Sequence, residues 1–278
     1  SVGRAGVPCV FVGDTGADIV GRQTLDFMRA NHVGTDYCPM RPDMKSAVSL
    51  AYLDDNGDAS YVFYKQKPEA PKEWTLPQID ADDVLLYGSY FASCQGMRPL
   101  VEDMLSHATA GGAIIYYDIN FRSSHSHELE ALLPTIEDNC RRSSIVRGSA
   151  DDFEVLFGER DAATIYDRHI RKLCPVFICT SGAGAVTVCL PHDTLRFPVP
   201  RVEDVASTVG AGDNFNAGFV FGLIKDGITR EDIDRGLSEA QWDSLLVSAQ
   251  EFSTECCKDI YNYVSKEFGE EKKKELRN

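Results

Sequence analysis

The chain is short of basic residues: Lys and Arg number 28 against 43 Asp and Glu, a net charge of −15 over 278 residues. Such a surface repels phosphate backbones, which argues against a nucleic-acid partner. The longest basic cluster, Lys272-Lys273-Lys274, lies in an acidic tail and reads as a solvated helix face. No run approaches the roughly 18 apolar residues that a membrane helix needs, and the start shows no basic-then-apolar leader pattern. There is no Cys-x-x-Cys pair, no internal repeat and no low-complexity linker. The nine cysteines are odd in number and scattered, with Cys179 and Cys189 inside apolar runs. They read as small buried hydrophobes in a reducing, cytoplasmic compartment. Adjacent Cys256-Cys257 rarely bridge without strain. A hydrophobic content of 43% with 26% charged residues excludes a disordered chain.

What is present is an alternation. Short apolar runs at Val7–Gly13, Asp83–Ser89, Ala113–Phe121, Ser144–Arg147, Val176–Thr180 and Ala185–Leu190 predict strands. Most are continuous rather than alternating, as expected of strands covered on both faces. Amphipathic stretches at Gly21–Asn31, Arg98–Ala108, His127–Arg142 and Ala162–Leu173 predict helices between them, and Glu231–Leu237 and Gln241–Phe268 predict a helical end. Strand–helix alternation predicts a parallel sheet with helices on both sides and ligands at the carboxyl ends of the strands. One segment breaks the pattern. Ser46–Leu53 and Ala59–Tyr64 alternate, joined through Asn56-Gly57, a tight-turn pair. They fit an antiparallel flap, or an edge hairpin with no role in binding. The chain therefore divides into 1–40, which starts an α/β domain, a hairpin lid over 41–66, and the remainder over 67–278.

The most informative stretch is Ser207-Thr208-Val209-Gly210-Ala211-Gly212-Asp213, which runs into Asn214-Phe215-Asn216-Ala217-Gly218-Phe219. Phe215, Phe219 and Leu223 form one helical face, and Gly227 is a natural terminator. A small-residue turn thus enters a buried helix. Gly210, Ala211 and Gly212 allow main-chain N–H groups to approach an anion, and the helix end adds partial positive charge, suited to a transferring phosphoryl group. Asp213 stands at the edge, placed to accept a proton from a hydroxyl. A bare Asp at a helix start is more often a cap; the full string is more specific.

Thr208-Val209-Gly210-Ala211-Gly212-Asp213 resembles the signature of the ribokinase-like (PfkB) carbohydrate kinases, with Ser207 where that family usually has Asp or Asn. Gly6, Gly13, Gly16, Asp18 and Gly21 resemble the second half of its N-terminal signature. Pro42 to Ala70, with Phe63-Tyr64-Lys65, is similar to the lid of fructokinase-like members, and Gly88-Ser89 to a strand end in the same group. Asp118-Ile119-Asn120-Phe121-Arg122 resembles the Asp-x-Asn-x-Arg motif of fructokinases and 2-keto-3-deoxygluconate kinases, and Thr180-Ser181-Gly182 resembles the Thr-x-Gly nucleotide loop.

The resemblance implies a three-layer α/β/α sandwich with a mostly parallel sheet and a small antiparallel β lid. It implies an ATP-dependent kinase of a sugar hydroxyl, fructose or a related sugar. Asp213 would be the base, Gly210, Ala211 and Gly212 the anion hole, and Thr208, Thr180, Gly182 and Ser149 the nucleotide site. Asp118, Asn120 and Arg122 would meet the sugar. Asp152 would help organise Mg²⁺, with Ser149 and Asp152 standing where the family carries Asn-x-x-Glu. Arg122 offers a fork suited to phosphate or carboxylate; a structural ion pair of Asp118 with Arg122 is the plainer alternative. The pattern begins partway into the family signature, so its first strands, a sugar-binding acidic residue and a Gly-Gly-x-x-Asn segment are expected upstream of Ser1, and the chain alone is not expected to be fully active. Rival readings are a 2-keto-3-deoxygluconate kinase, a nucleoside kinase, which usually lacks Asp-x-Asn-x-Arg, and a catalytically inactive sugar- or nucleotide-binding regulator. Homodimerisation through the lid is common in the family. Arg41, Lys45 and Lys65 are weaker candidates for substrate contact. His125-Ser126-His127 reads as a polar loop before a helix rather than a metal site.

Overall fold

The computed structural model describes residues 1–53, 59–64, 66, 69–71, 73–203 and 205–277. The Asn56-Gly57 turn and Lys65 lie outside the described residues. In chain order the strands are β1 Cys9–Val10, β2 Thr15–Gly16, β3 Val33–Gly34, β4 Met40–Arg41, β5 Val48–Leu53, β6 Ala59–Tyr64, β7 Val84–Gly88, β8 Ile114–Asp118, β9 Ile145–Ser149, β10 Phe177–Thr180, β11 Ala185–Cys189 and β12 Thr194–Pro198. The α-helices are α1 Ile19–Ala30, α2 Ser89–Ser93, α3 Arg98–Gly111, α4 Leu129–Arg142, α5 Ala150–Phe157, α6 Ala162–Ile165, α7 Ala211–Lys225, α8 Arg230–Arg235, α9 Glu239–Cys257 and α10 Lys266–Glu275.

The main sheet has six strands in the order β12-β11-β10-β9-β8-β7. The β7–β8–β9–β10 ladder is parallel, because each connection carries a helix. β10, β11 and β12 pair antiparallel. Only Ser181–Gly184 separates β10 from β11, far too little chain for a crossover. The expected parallel sheet thus ends in an antiparallel meander, and β12 is a strand that the alternation did not mark. Its exposure alternates along the edge of the sheet.

Burial on both faces explains the continuous apolar runs. Ile115, Tyr117, Val146 and Phe177 pack against α3, α4 and α5. Ile114, Tyr116, Ile145 and Ile178 pack against Phe215, Phe219 and Leu223 of α7 and Trp242 and Leu245 of α9. The result is three layers, helix on sheet on helix. Small sheets, β1 with β3 and β2 with β4, hold the N-terminal region in parallel pairs, and β5 with β6 forms a separate antiparallel hairpin.

Two helix expectations change. Ala162–Leu173 splits into α6 and a widened π-turn over Tyr166–Ile170. Gln241–Phe268 is broken: α9 ends at Cys257, and a new helix starts at Ser265, whose hydroxyl accepts from the Phe268 amide at 3.2 Å. The end of α9 and the chain after it carry acceptors for the segment before α7 and for α7 itself.

Candidate active site

Sheet register collects the candidate residues. Gly88 lies beside Asp118, Asp118 beside Arg147, and Ser149 beside Thr180, all at the carboxyl edge. A Cβ on Gly88 would meet the Asp118 carbonyl oxygen at 1.9 Å, so only glycine lets β7 approach β8 this closely. The chain then turns sharply. Ser89 (φ 58°) and Asn120 (φ 38°) hold left-handed conformations that a side chain disfavours. Such strain concentrates at functional sites. Both residues, with Asp118, Asn216 and Asp213, line a cleft of about 810 Å³.

The turn before α7 is built on the break after α9. The Ala206 and Ser207 amides donate to the Cys257 carbonyl at 2.8 and 3.4 Å, and Asn214 Nδ2 donates to the Asn262 carbonyl at 3.0 Å. Gly210 sits at φ +82°, where an added Cβ would lie 2.6 Å from that of Asn262. Glycine is required there. The expected anion hole changes in one member: the Ala211 amide already donates to the Thr208 carbonyl at 3.1 Å. The amides of Gly210, Gly212 and Asp213 carry no hydrogen bond among the described residues. They are the orphan donors that every helix start leaves. Thr208 is exposed on the same turn.

Asp213 opens onto the cleft. The protein wall around it desolvates its carboxylate, the neighbouring Asp118 repels its charge, and together they push its pKa above the ordinary carboxylate value against the pull of Arg122 and Arg147. A carboxylate made more basic in this way is better suited to take a proton from an alcohol.

Asp118, expected to meet the sugar, lines the cleft and is also anchored within the protein. It is buried, its Oδ1 accepts from Arg147 Nη1 at 3.0 Å, and its Oδ2 accepts from Asn216 Nδ2 at 2.7 Å. It forms an ion pair with Arg147. Tyr116 donates from its hydroxyl to Asn216 Oδ1 at 2.9 Å, and Arg147 Nη2 donates to Thr180 Oγ1 at 2.8 Å. This network joins β8, β9, β10 and α7. A charged residue inside the apolar run Ile145-Val146-Arg147 was the sequence signal for it, since a buried charge demands a partner.

Asn120 and the exposed Arg122 follow β8 at the mouth of the site. Thr180 ends β10, and Gly182 (φ +50°) forms the exposed turn after it. Ser149 and Asp152 face each other in a capping box: Asp152 Oδ2 accepts from the Ser149 amide and hydroxyl at 2.7 and 2.8 Å, and Ser149 Oγ accepts from the Asp152 amide at 3.1 Å. Burial raises the Asp152 pKa. Among the described residues no cluster of three His, Cys, Asp or Glu could hold a metal ion. Asp152 is one hard oxygen donor at the carboxyl edge of the sheet, a set that would suit Mg²⁺ brought in on phosphates rather than a cage of protein ligands.

At the hairpin base, Asp18 caps α1 and grips Ser46: its Oδ2 accepts from the Ser46 amide at 2.9 Å and its Oδ1 from the Ser46 hydroxyl at 2.8 Å and the Gly21 amide at 3.0 Å. The Ser46 and Gly21 amides hold its pKa down to about 2. Arg41 is a clamp, bridging Asp14 and Asp43 at 3.0 Å each. His125 stacks on Tyr90 with centroids 3.9 Å apart and bonds Glu128, within a 3₁₀ turn.

In a three-layer α/β/α fold, a glycine turn with orphan amides beside a carboxylate at a strand-edge cleft is an arrangement suited to phosphoryl transfer. The chain matches the pfkB family of carbohydrate kinases over residues 1–243, and belongs to it. It is 31% identical over 230 residues to aminoimidazole riboside kinase of Salmonella typhimurium, covering 80% of this chain and 70% of that one. It is 28% identical over 234 residues to a fructokinase of Rhizobium leguminosarum, covering 82% and 70%. A Vibrio cholerae fructokinase variant, solved with fructose, ADP and potassium, shares the fold with a TM-score of 0.81 at 19% identity, over 94% of this chain and 82% of that one. The ribokinase-like expectation for the fold holds, with the antiparallel edge as its refinement.

Proposed function

We propose that this chain transfers the γ-phosphate of ATP to a hydroxyl of fructose or a related sugar. The observation that carries this is the placement of Asp213: its carboxylate opens onto the cleft while the unpartnered amides of Gly210, Gly212 and its own N–H point from the same turn. The acceptor hydroxyl lies in the cleft, the amides take the charge that builds on the transferring phosphoryl group, and Asp213 takes the proton. Thr180, Gly182 and Thr208 frame the nucleotide, and Asn120 and Arg122 the sugar. Mg²⁺ bound with the nucleotide would neutralise charge on the β- and γ-phosphates, with Asp152 its nearest acidic partner in this reading. The hairpin closes over the sugar and excludes water, a competing acceptor. Nine unpaired cysteines support a reducing, cytoplasmic setting, and no helix among the described residues is long and apolar enough to cross a membrane.

A riboside is the second reading, favoured by the 31% identity to a kinase named for one. The test is ATP consumption by the full-length protein, with Mg²⁺, against fructose, ribose, 2-keto-3-deoxygluconate, adenosine and aminoimidazole riboside. Acceptor-dependent turnover with one of the sugars is expected. Turnover with a riboside alone moves the substrate to the second reading, and sugar binding without any turnover overturns the kinase in favour of an inactive regulator.

A further inference from the structure

Arg147 is 94% buried, since only 6% of its surface is exposed, and nothing in the reaction scheme above uses it. Burying a guanidinium is costly unless it is paired. Burial works against its charge, and the acidic groups around it, Asp118 foremost, offset this, so it stays protonated. One edge of the guanidinium bonds Asp118 and the other bonds Thr180. Its Nε has no hydrogen-bond partner among the described residues. Its Nη1–Nη2 edge faces the turn: a Cβ placed on Gly212 would be 3.3 Å from Nη2 and 3.4 Å from Nη1. Gly212 therefore does more than free its own amide. It lets a full positive charge sit directly beneath the first turn of α7. The Phe215 ring, one turn on, covers the guanidinium carbon at 5.6 Å.

The pair has a direction. Its cationic end touches Gly212 and Thr180, where the phosphate donors lie. Its anionic end points to Asn216, along the helix from Asp213. We propose that Arg147 is a positioning residue of the phosphoryl-transfer site, ordering Thr180 and Asp118 and adding a buried positive charge behind the Gly210–Asp213 donors. This rests on the kinase reading above. Charge beneath the turn favours the triphosphate over the uncharged nucleoside, and a fixed guanidinium needs no reorganisation as the phosphoryl group moves.

Asp213 is faced by Asp118 from β8, by Arg122 from the loop after it, by Arg147 from β9 and by the Cys256 thiol from α9. Removing the cation and removing the carboxylate should therefore move its titration in opposite directions. Two neutral variants, Arg147→Met and Arg147→Gln, are compared with Arg147→Lys, which keeps the charge, and with Asp118→Asn. Affinity for ATP and for adenosine is measured by calorimetry, and the pH profile of kcat is measured with the best acceptor. The neutral variants should lose about tenfold in ATP affinity with adenosine binding unchanged, and the acid limb of kcat should rise by about half to one pH unit. Arg147→Lys should keep the preference for ATP, and Asp118→Asn should move the limb down. A purely structural arginine would weaken both ligands alike and leave the limb in place, and that result overturns the proposal. If the neutral variants fail to fold, a folded Arg147→Lys that binds ATP no better than adenosine overturns it. A wild-type protein that binds ATP but phosphorylates no acceptor removes the kinase reading instead, and the calorimetric comparison still decides what Arg147 does.

Discussion

At the scale of single residues, the site depends on two that local rules disfavour. Gly210 occupies a left-handed conformation against Asn262. Gly210→Ala adds the cost of that conformation for an L-residue, about 1–2 kcal/mol, to a steric clash. It should lower unfolding stability by about 2 kcal/mol or more and weaken nucleotide binding, as read by denaturant titration and calorimetry. Asp213 carries a different cost. Folding lifts its pKa above the unfolded value, so between the ordinary carboxylate pKa near 4 and the raised value the native state holds more protons than the unfolded chain. Stability falls as pH rises through that window and stays lower above it. Asp213→Asn should therefore melt slightly higher than wild type at pH 7, on the order of 1–3 °C, and no higher below about pH 4, in paired thermal melts. The side chain opens to the cleft, which keeps the effect small. Activity should show the complementary sign, with kcat falling as Asp213 takes up its proton at a pH above the ordinary carboxylate range.

At the scale of elements, helix α7 is set by its contact with α9. A Cβ on Gly218 would lie 2.4 Å from the Ser248 carbonyl oxygen and 2.8 Å from the Ala249 Cα. Gly218→Ala must push the two helices apart, and should destabilise the protein by about 1–3 kcal/mol while reducing activity through the displaced start of α7. A thermal melt with a kinetic assay checks both, and equal stability and activity would place the helices further apart than described. Much of this was legible beforehand. Phe215, Phe219 and Leu223 share one face in the sequence, and they share one core cluster in the fold. The strands of the parallel ladder were readable because burial on both faces leaves apolar runs. The break between Cys257 and Ser265 was not, because its stop is set by tertiary acceptors rather than by Gly or Pro: Cys257 gives its carbonyl to the segment before α7 and Asn262 gives its own to the Asn214 side chain in α7. The same holds for Asp118. Its motif pointed to the site, yet its partner Arg147 comes from another strand and only the register brings them together. The use of the Ala211 amide within its own turn was equally invisible, since a small residue in a glycine-rich string carries no mark of which N–H is taken.

At the scale of the whole molecule, the hairpin leaves an apolar face uncovered. Val48, Leu50 and Tyr52 of β5 and Val62 and Tyr64 of β6 are each between 37% and 61% exposed, and the register puts Val48 opposite Tyr64 and Leu50 opposite Val62. Such a cluster is costly to leave in water, and we propose that a second copy of the chain covers it. Light scattering of the protein in solution should give twice the chain mass, and Leu50→Glu should give the monomer. A monomeric wild type would leave the hairpin as a lid alone. The acidic surface adds a complementary constraint: with a net charge of −15, an anionic nucleotide would have to be drawn in by local charge and not by the molecule's overall field.

The core of the proposed mechanism is a carboxylate that deprotonates an alcohol beside a main-chain cradle for phosphate. Single-turnover phosphorylation of the preferred acceptor by Asp213→Asn, with ATP affinity measured on the same sample, tests it most directly. The expected result is turnover lowered by about 10²–10⁴-fold with ATP affinity nearly unchanged; turnover equal to wild type would contradict it.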